Sequence, residues 1–205
     1  MELTNKNYHS FNDLTVFPHD QLVKLFLSIP KATTLGILRK FDKSYLEQLF
    51  NSAPHHLAKQ WRMSLMYERD TVGELMQPAP LVLNENLTIK EAVDLVREIP
   101  KQILFTYGMV VNDNNELTGV LIFRDILYHE DGELIKDISF KDPVCFDFNE
   151  NVLEVFIKIA GKQIPEYPVL NDKKQLLGIL RGSHVADSHA LDIMAQSGIL
   201  VGVSK

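Results

Sequence analysis

The sequence predicts an α+β chain. An all-α N-terminal domain built from a short helical repeat is followed by a tandem β-α-β-β-α unit whose two copies share a pseudo-twofold axis. Three observations carry this. Leucine-bearing helical stretches stop at Ile29-Pro30, Phe41-Asp42 and Ala53-Pro54, so breaks fall at 30, 42 and 54, a period of 12. Residues 75–91 match residues 138–154 at a shift of 63, and residues 110–121 match 169–180 at a shift of 59. Charge is also split: Met1 to Met63 holds 8 bases and 5 acids, a balance of +3, so the remainder of a chain at −6 carries −9.

In the first module, Leu22 and Leu25, Leu35 and Leu38, and Leu46 and Leu49 sit at helical spacing. Each unit is about two helical turns and a corner. Such a helix is unstable alone in water and has to stack to bury its apolar stripe. A plain bundle with coincidental spacing is the other reading. In the segment HHLAKQWRMSLMYERDTVGELM, which leads onward, Trp61, Leu65 and Met66 share a helical face. It is not rich in Pro or Gly, so a continuous, stiff connection is expected.

In the duplication, Leu81-Val82-Leu83 meets Val144-Cys145-Phe146, and Thr88/Glu91 meets Asn151/Glu154. Thr88-x-x-Glu91 and Asn151-x-x-Glu154 both have the form of a helix capping box. Val110-Val111-Asn112-Asp113 then meets Val169-Leu170-Asn171-Asp172, and the runs around Gly119 and Gly178 match; the change of shift places a four-residue insertion near 101–106. Each half reads strand, helix, strand, Asn-Asp turn, strand, helix. The turns are hairpin signals, and a glycine inside a strand marks close backbone approach. Neither half is large enough to close its own sheet, so two packed face to face share a core.

Composition sets further bounds. At 45% hydrophobic residues the 205-residue chain is not disordered, and its net charge of −6 opposes non-specific nucleic-acid or anionic-membrane binding. No run approaches the roughly 20 apolar residues of a membrane span. The N-terminus lacks the layout of a secretory signal, so a reducing cytosol is expected. One cysteine, Cys145, excludes an internal disulfide; it falls in a strand pattern, where a thiol is usually inert packing. Gly-x-Ser-x-Gly, His-Glu-x-x-His and phosphate-loop patterns are all missing from the sequence, so enzyme activity is not expected.

PLVL and PVCF, GMVVND and YPVLND, and LTGVLIFRDIL and LLGILRGSHVA together resemble a pair of CBS domains over about residues 71–187. Upstream, the 12-residue repeat and Asp70-Thr71-Val72-Gly73-Glu74-Leu75-Met76 resemble the N domain and junction that precede the CBS pair in MgtE-type magnesium transporters. Downstream, HALDIMAQSGI resembles the start of that family's connecting, or plug, helix. The domains expected are a helical domain over 1–70, CBS 1 over 71–132, CBS 2 over 133–187 and a plug-like helix or tail over 188–205. The resemblance implies a cytosolic homodimer joined through its CBS pairs. In it, magnesium held between acidic residues favours a compact state that keeps a pore shut.

The +3 balance of the first module departs from that pattern. Either a few acids such as Asp42, Glu47, Glu68 and Asp70 line a local site, or direct ion pairing replaces metal bridging and closure weakens with salt. Asp187 and Asp192 are the only acids of the plug-like region; His184 and His189 there, and His55-His56, read as solvated helix surface. Glu130, Asp131 and Glu133 between the halves are a further candidate for hydrated magnesium, an exposed acidic loop being the commoner meaning. For an adenine nucleotide, the family places a hydroxyl three residues before an Asp at the last strand-to-helix turn. Here Ile122-x-x-Asp125 keeps only the acid and Arg181-x-x-His184 keeps neither. Arg124 or Arg181 is then the phosphate partner, and Ser183 a displaced hydroxyl. The leading expectation is the magnesium-sensing, gating region of an MgtE-like transporter, joined to a membrane domain if the chain is a fragment. The alternative is a free-standing CBS adaptor that senses a nucleotide or binds a partner protein.

Overall fold

The computed structural model describes residues 11–101 and 103–187. Asp192, His189 and the plug-like segment lie outside those residues. The chain divides into a helical unit, whose N-terminal part ends at Leu65, and a mixed unit, Met66–Val185.

The helical unit contains α1 (His19–Ser28), α2 (Lys31–Leu38), α3 (Lys43–Ser52) and α4 (His55–Leu65). Their starts keep the period of 12. Pro18 and Pro30 stand at the N-caps of α1 and α2, and Asp42 caps α3 by accepting the Tyr45 N–H at 2.9 Å. Proline ends one helix and opens the next because it has no N–H to give the first and its fixed φ suits the second. Leu35, Leu38 and Leu49 are fully buried, and Phe26 and Phe50 each lie 6.0 Å from the Trp61 ring. Each such aliphatic side chain contributes ~1.5–3 kcal/mol by burial. The shared apolar face expected beyond Trp61 ends sooner: α4 stops at Leu65 and Met66 is 84% exposed. A turn with Asp70 at φ 60° follows, so the connection is not a continuous helix.

In the mixed unit, α5 (Val72–Leu75), β1 (Val82–Asn84), α6 (Ile89–Arg97), β2 (Tyr107–Val111) and β3 (Leu117–Ile122) form the first half. The second half repeats it with α7 (Ile135–Ile138), β4 (Phe146–Asp147), α8 (Val152–Ile159), β5 (Glu166–Leu170) and β6 (Leu176–Arg181). Each sheet has three strands, the first pair parallel and the second antiparallel, with a bulge at Val110/Val111 and at Val169/Leu170. The last helical element differs between halves: Phe123–Tyr128 is a 3-10 helix, whereas residues 182–187 are α-helical.

The pseudo-twofold axis is written in the backbone hydrogen bonds. Val72 N–H donates to the Glu150 carbonyl at 2.9 Å, and its mate Ile135 donates to Leu87 at 2.8 Å. Leu117 donates to Lys174 at 3.0 Å, and Leu176 to Asn115 at 2.9 Å. Val120 and Phe140 exchange two bonds, as do Ile179 and Gln77. All these partners correspond at the shifts of 63 and 59. The segment before each sheet is therefore exchanged onto the opposite half. Gly119 and Gly178 make the exchange possible: a Cβ on Gly119 would come within 2.8 Å of the Phe140 carbonyl oxygen, and one on Gly178 would collide with the Gln77 carbonyl. Met109, Val111 and Val120 share one buried cluster with Leu176 and Ile179, the common core that half-sized units require.

Two local expectations are corrected. Thr88 and Glu91 do form a capping box, but Asn151 accepts from the Leu153 N–H at 2.9 Å and forms no reciprocal pair with Glu154. The asparagine amide oxygen meets the second helical N–H before the third. Cys145 is exposed, because side chains alternate along the strand and position 145, like its mate Val82, points outward while the next residue, Phe146 or Leu83, is buried.

Candidate functional site

Among the described residues, those of the mixed unit line a cavity and a wider groove. The more apolar, a cavity of about 280 Å³, has three walls. Tyr107 at the head of β2 and Val120 and Ile122 of β3 form one; Phe140, Asp142, Pro143 and Val144 form the second; Ile164, Glu166 and Pro168 form the third. The first wall belongs to the first half and the third to the second, so the fold builds the cleft only when the halves pack. A wider groove of about 470 Å³ runs past Cys145, Asp142, Asp147, Asp172 and Lys174.

The chain leaves the first cleft at Ile122 and turns directly into Phe123–Tyr128, which carries Arg124 and Asp125. Their side chains lie 3.6 Å apart, with Arg124 largely in solvent. Arg181, at the matching end of β6, is engaged elsewhere: its Nη2 donates to the Leu104 carbonyl at 3.0 Å and lies 3.4 Å from Glu166 Oε1. Ser183 is exposed.

The carboxylates singled out for metal are dispersed. Asp42 caps α3, and Glu47 pairs with Arg62 at 2.7 Å. The Glu68 carbonyl accepts from the Thr71 hydroxyl, and the Asp70 N–H donates to Glu74. Glu133 accepts from the Glu130 N–H at 2.7 Å and lies 3.0 Å from His129 Nδ1. The Glu130 N–H holds the Glu133 carboxyl below the usual range, with His129 adding to it. Asp131 and Asp187 are exposed. Among the described residues, no three His, Cys, Asp or Glu side chains converge as metal ligands.

Glu166 escaped the sequence reading. It is 5% exposed, burial pushes its carboxyl above the ordinary value, and Arg181 and a Thr106 backbone N–H pull it partly back. A glutamate heading an otherwise apolar strand, at the position that mirrors Tyr107, was the available signal.

The fold and cleft define a class: a paired β/α module with a cleft between its halves. The chain matches the CBS domain family over residues 72–132 and 135–190 and belongs to it. It is 26% identical over 157 residues to the magnesium transporter MgtE of Thermus thermophilus, covering 76% of this chain and 35% of that one. Its fold resembles the crystal structure of the soluble part of a magnesium transporter, with TM-score 0.72, 20% identity and coverage of 93% of this chain and 75% of the other. It is equally close, at TM-score 0.72 and 23% identity over 90% of this chain and 76% of the other, to the cytosolic domain of the Mg2+ channel MgtE in complex with ATP. The chain spans about a third of the length of the curated relatives it matches. No helix among the described residues is long and apolar enough to cross a membrane.

Proposed function

We propose that this chain is the cytosolic regulatory region of an MgtE-like magnesium transport system, and that an adenine nucleotide occupies the 280 Å³ cleft of its CBS pair. The observation that carries this is the reach of the likeness. It covers 93% of the chain in the soluble part of a magnesium transporter, whereas the CBS match begins only at residue 72. On this reading the chain is non-catalytic, acts as a homodimer through its CBS pairs and works beside a membrane domain. The apolar walls take the base, Asp125 the ribose hydroxyls and Arg124 the phosphate. Arg181, held by Leu104 and Glu166, and exposed Ser183 are the secondary contacts.

Magnesium is both the cargo of such a system and its proposed signal. A hydrated Mg2+ keeps most of its waters and needs only one or two carboxylates. Exposed Asp42, Glu47, Glu68, Asp70, Glu130, Asp131 and Asp187 fit that demand singly, with Glu133 and Asp192 completing the proposed set. The cation would favour a compact state by its higher affinity for that state. Small-angle scattering with millimolar magnesium against sodium chloride of matched ionic strength tests this, alongside calorimetry with AMP, ADP and ATP. Compaction by magnesium alone and heat with an adenine nucleotide are expected. Nucleotide heat without any magnesium response would replace this reading with a free-standing nucleotide-sensing adaptor.

A further inference from the structure

The cleft contains a carboxylate that its protein surroundings only half satisfy. Glu166 heads β5, is 5% exposed and lines the 280 Å³ cavity. Its carboxyl is approached by a Thr106 backbone N–H and, at 3.4 Å from Oε1, by Arg181, whose own hydrogen bond goes to Leu104, while its Oε2 has no hydrogen-bond partner within the protein. A buried acceptor left without a donor costs ~1–3 kcal/mol, more when charged. The position therefore rewards a ligand that supplies an N–H. Beside it stand Tyr107, Ile122, Ile164 and Pro168, flat or apolar surfaces suited to a heteroaromatic ring. The volume suits a purine and little more, which leaves phosphates toward the turn that follows Ile122.

We infer that Glu166 is the specificity-determining residue of this cleft, its unpartnered carboxylate oxygen accepting a hydrogen bond from the exocyclic amino group of a bound 6-aminopurine. The inference rests on the cleft being a nucleotide site. A purine without the amino group leaves the buried oxygen unsatisfied, and polar sites reject analogues that lack the donor they were built for.

Calorimetry on the full chain with AMP and with purine riboside 5′-monophosphate, identical except for hydrogen in place of the amino group, tests this directly. The wild type is expected to bind AMP at least ~10-fold more tightly, as the loss of one hydrogen bond to a charged group implies. In Glu166→Met, similar in length but without an acceptor, the two affinities should come within ~2-fold. Equal affinities in the wild type, or an unchanged ratio in the variant, would overturn the role of Glu166 while leaving the nucleotide site intact. Failure of the wild type to bind either compound would remove both. The wild-type comparison does not depend on the variant folding.

Discussion

The two halves of the CBS pair have nearly the same backbone and different clefts. Exchanged hydrogen bonds recur pair for pair, as do the Asn112 and Asn171 turns, where each side-chain oxygen accepts from the backbone two and four residues on. Where the backbone ends and the clefts begin, the match fails. Ile122 corresponds to Arg181 and Tyr107 to Glu166, and the connection over 98–106 is longer than that over 160–165. The two halves thus agree in the bonds that hold them to one another and differ in the side chains that line the cleft.

The sharpest test of that contrast is at the glycines that admit the exchanged segments. Gly178→Ala places a Cβ against the Gln77 carbonyl and is expected to cost ~2–4 kcal/mol. Gly119→Ala meets the Phe140 oxygen at 2.8 Å and should cost ~1–3 kcal/mol. Urea unfolding measures both, and near-wild-type stability in either variant would mean that half does not depend on its exchanged segment. The helix caps give a smaller difference. Thr88→Ala dismantles a reciprocal box and should lose ~1–2 kcal/mol, whereas Asn151→Ala removes one bond and should lose ~0.5–1 kcal/mol. Equal losses would show that the box adds nothing beyond a single cap.

The pH dependence separates the halves by sign. Hydrogen bonds from the Thr88 backbone and hydroxyl lower the Glu91 carboxyl, while burial raises that of Glu166. Glu91 therefore contributes stability above the unfolded glutamate value of about 4.3, and loses it as pH falls through its lower folded pKa. The contribution of Glu166 is complete below about 4.3 and is lost as pH rises through its higher folded pKa. The Tm advantage of wild type over Glu91→Gln should shrink on acidification from about pH 7 to 3, whereas wild type should lose ground to Glu166→Gln between about pH 4 and 7. Thermal melts across that range check both signs, and parallel profiles would contradict the assignment.

Much of this was legible beforehand because its causes are local. Prolines and Asp42 punctuate the helices every 12 residues, and Asn-Asp turns mark both hairpins. The glycines at 119 and 178 announced a close approach without naming the carbonyls they would meet. Other features were not readable. Asn151 and Thr88 stand in the same pattern, yet side-chain reach decides which N–H is capped. Cys145 sits in an apolar run, but strand alternation turns it outward, as it does Val82. The family pattern drew attention to Asp125 and Arg181, whereas the cleft walls are formed by other residues, Tyr107 and Glu166 among them.

By itself, the sequence determined the helical period, the duplicated unit and the family, since stops, turns and repeats depend on residues close together in the chain. Only tertiary structure decided that residues 59 apart, Tyr107 and Glu166, line one cavity, and that Arg181 is spent on Leu104 and Glu166. Those outcomes depend on burial and on which donors meet which acceptors across the axis, and both are properties of packing between distant segments.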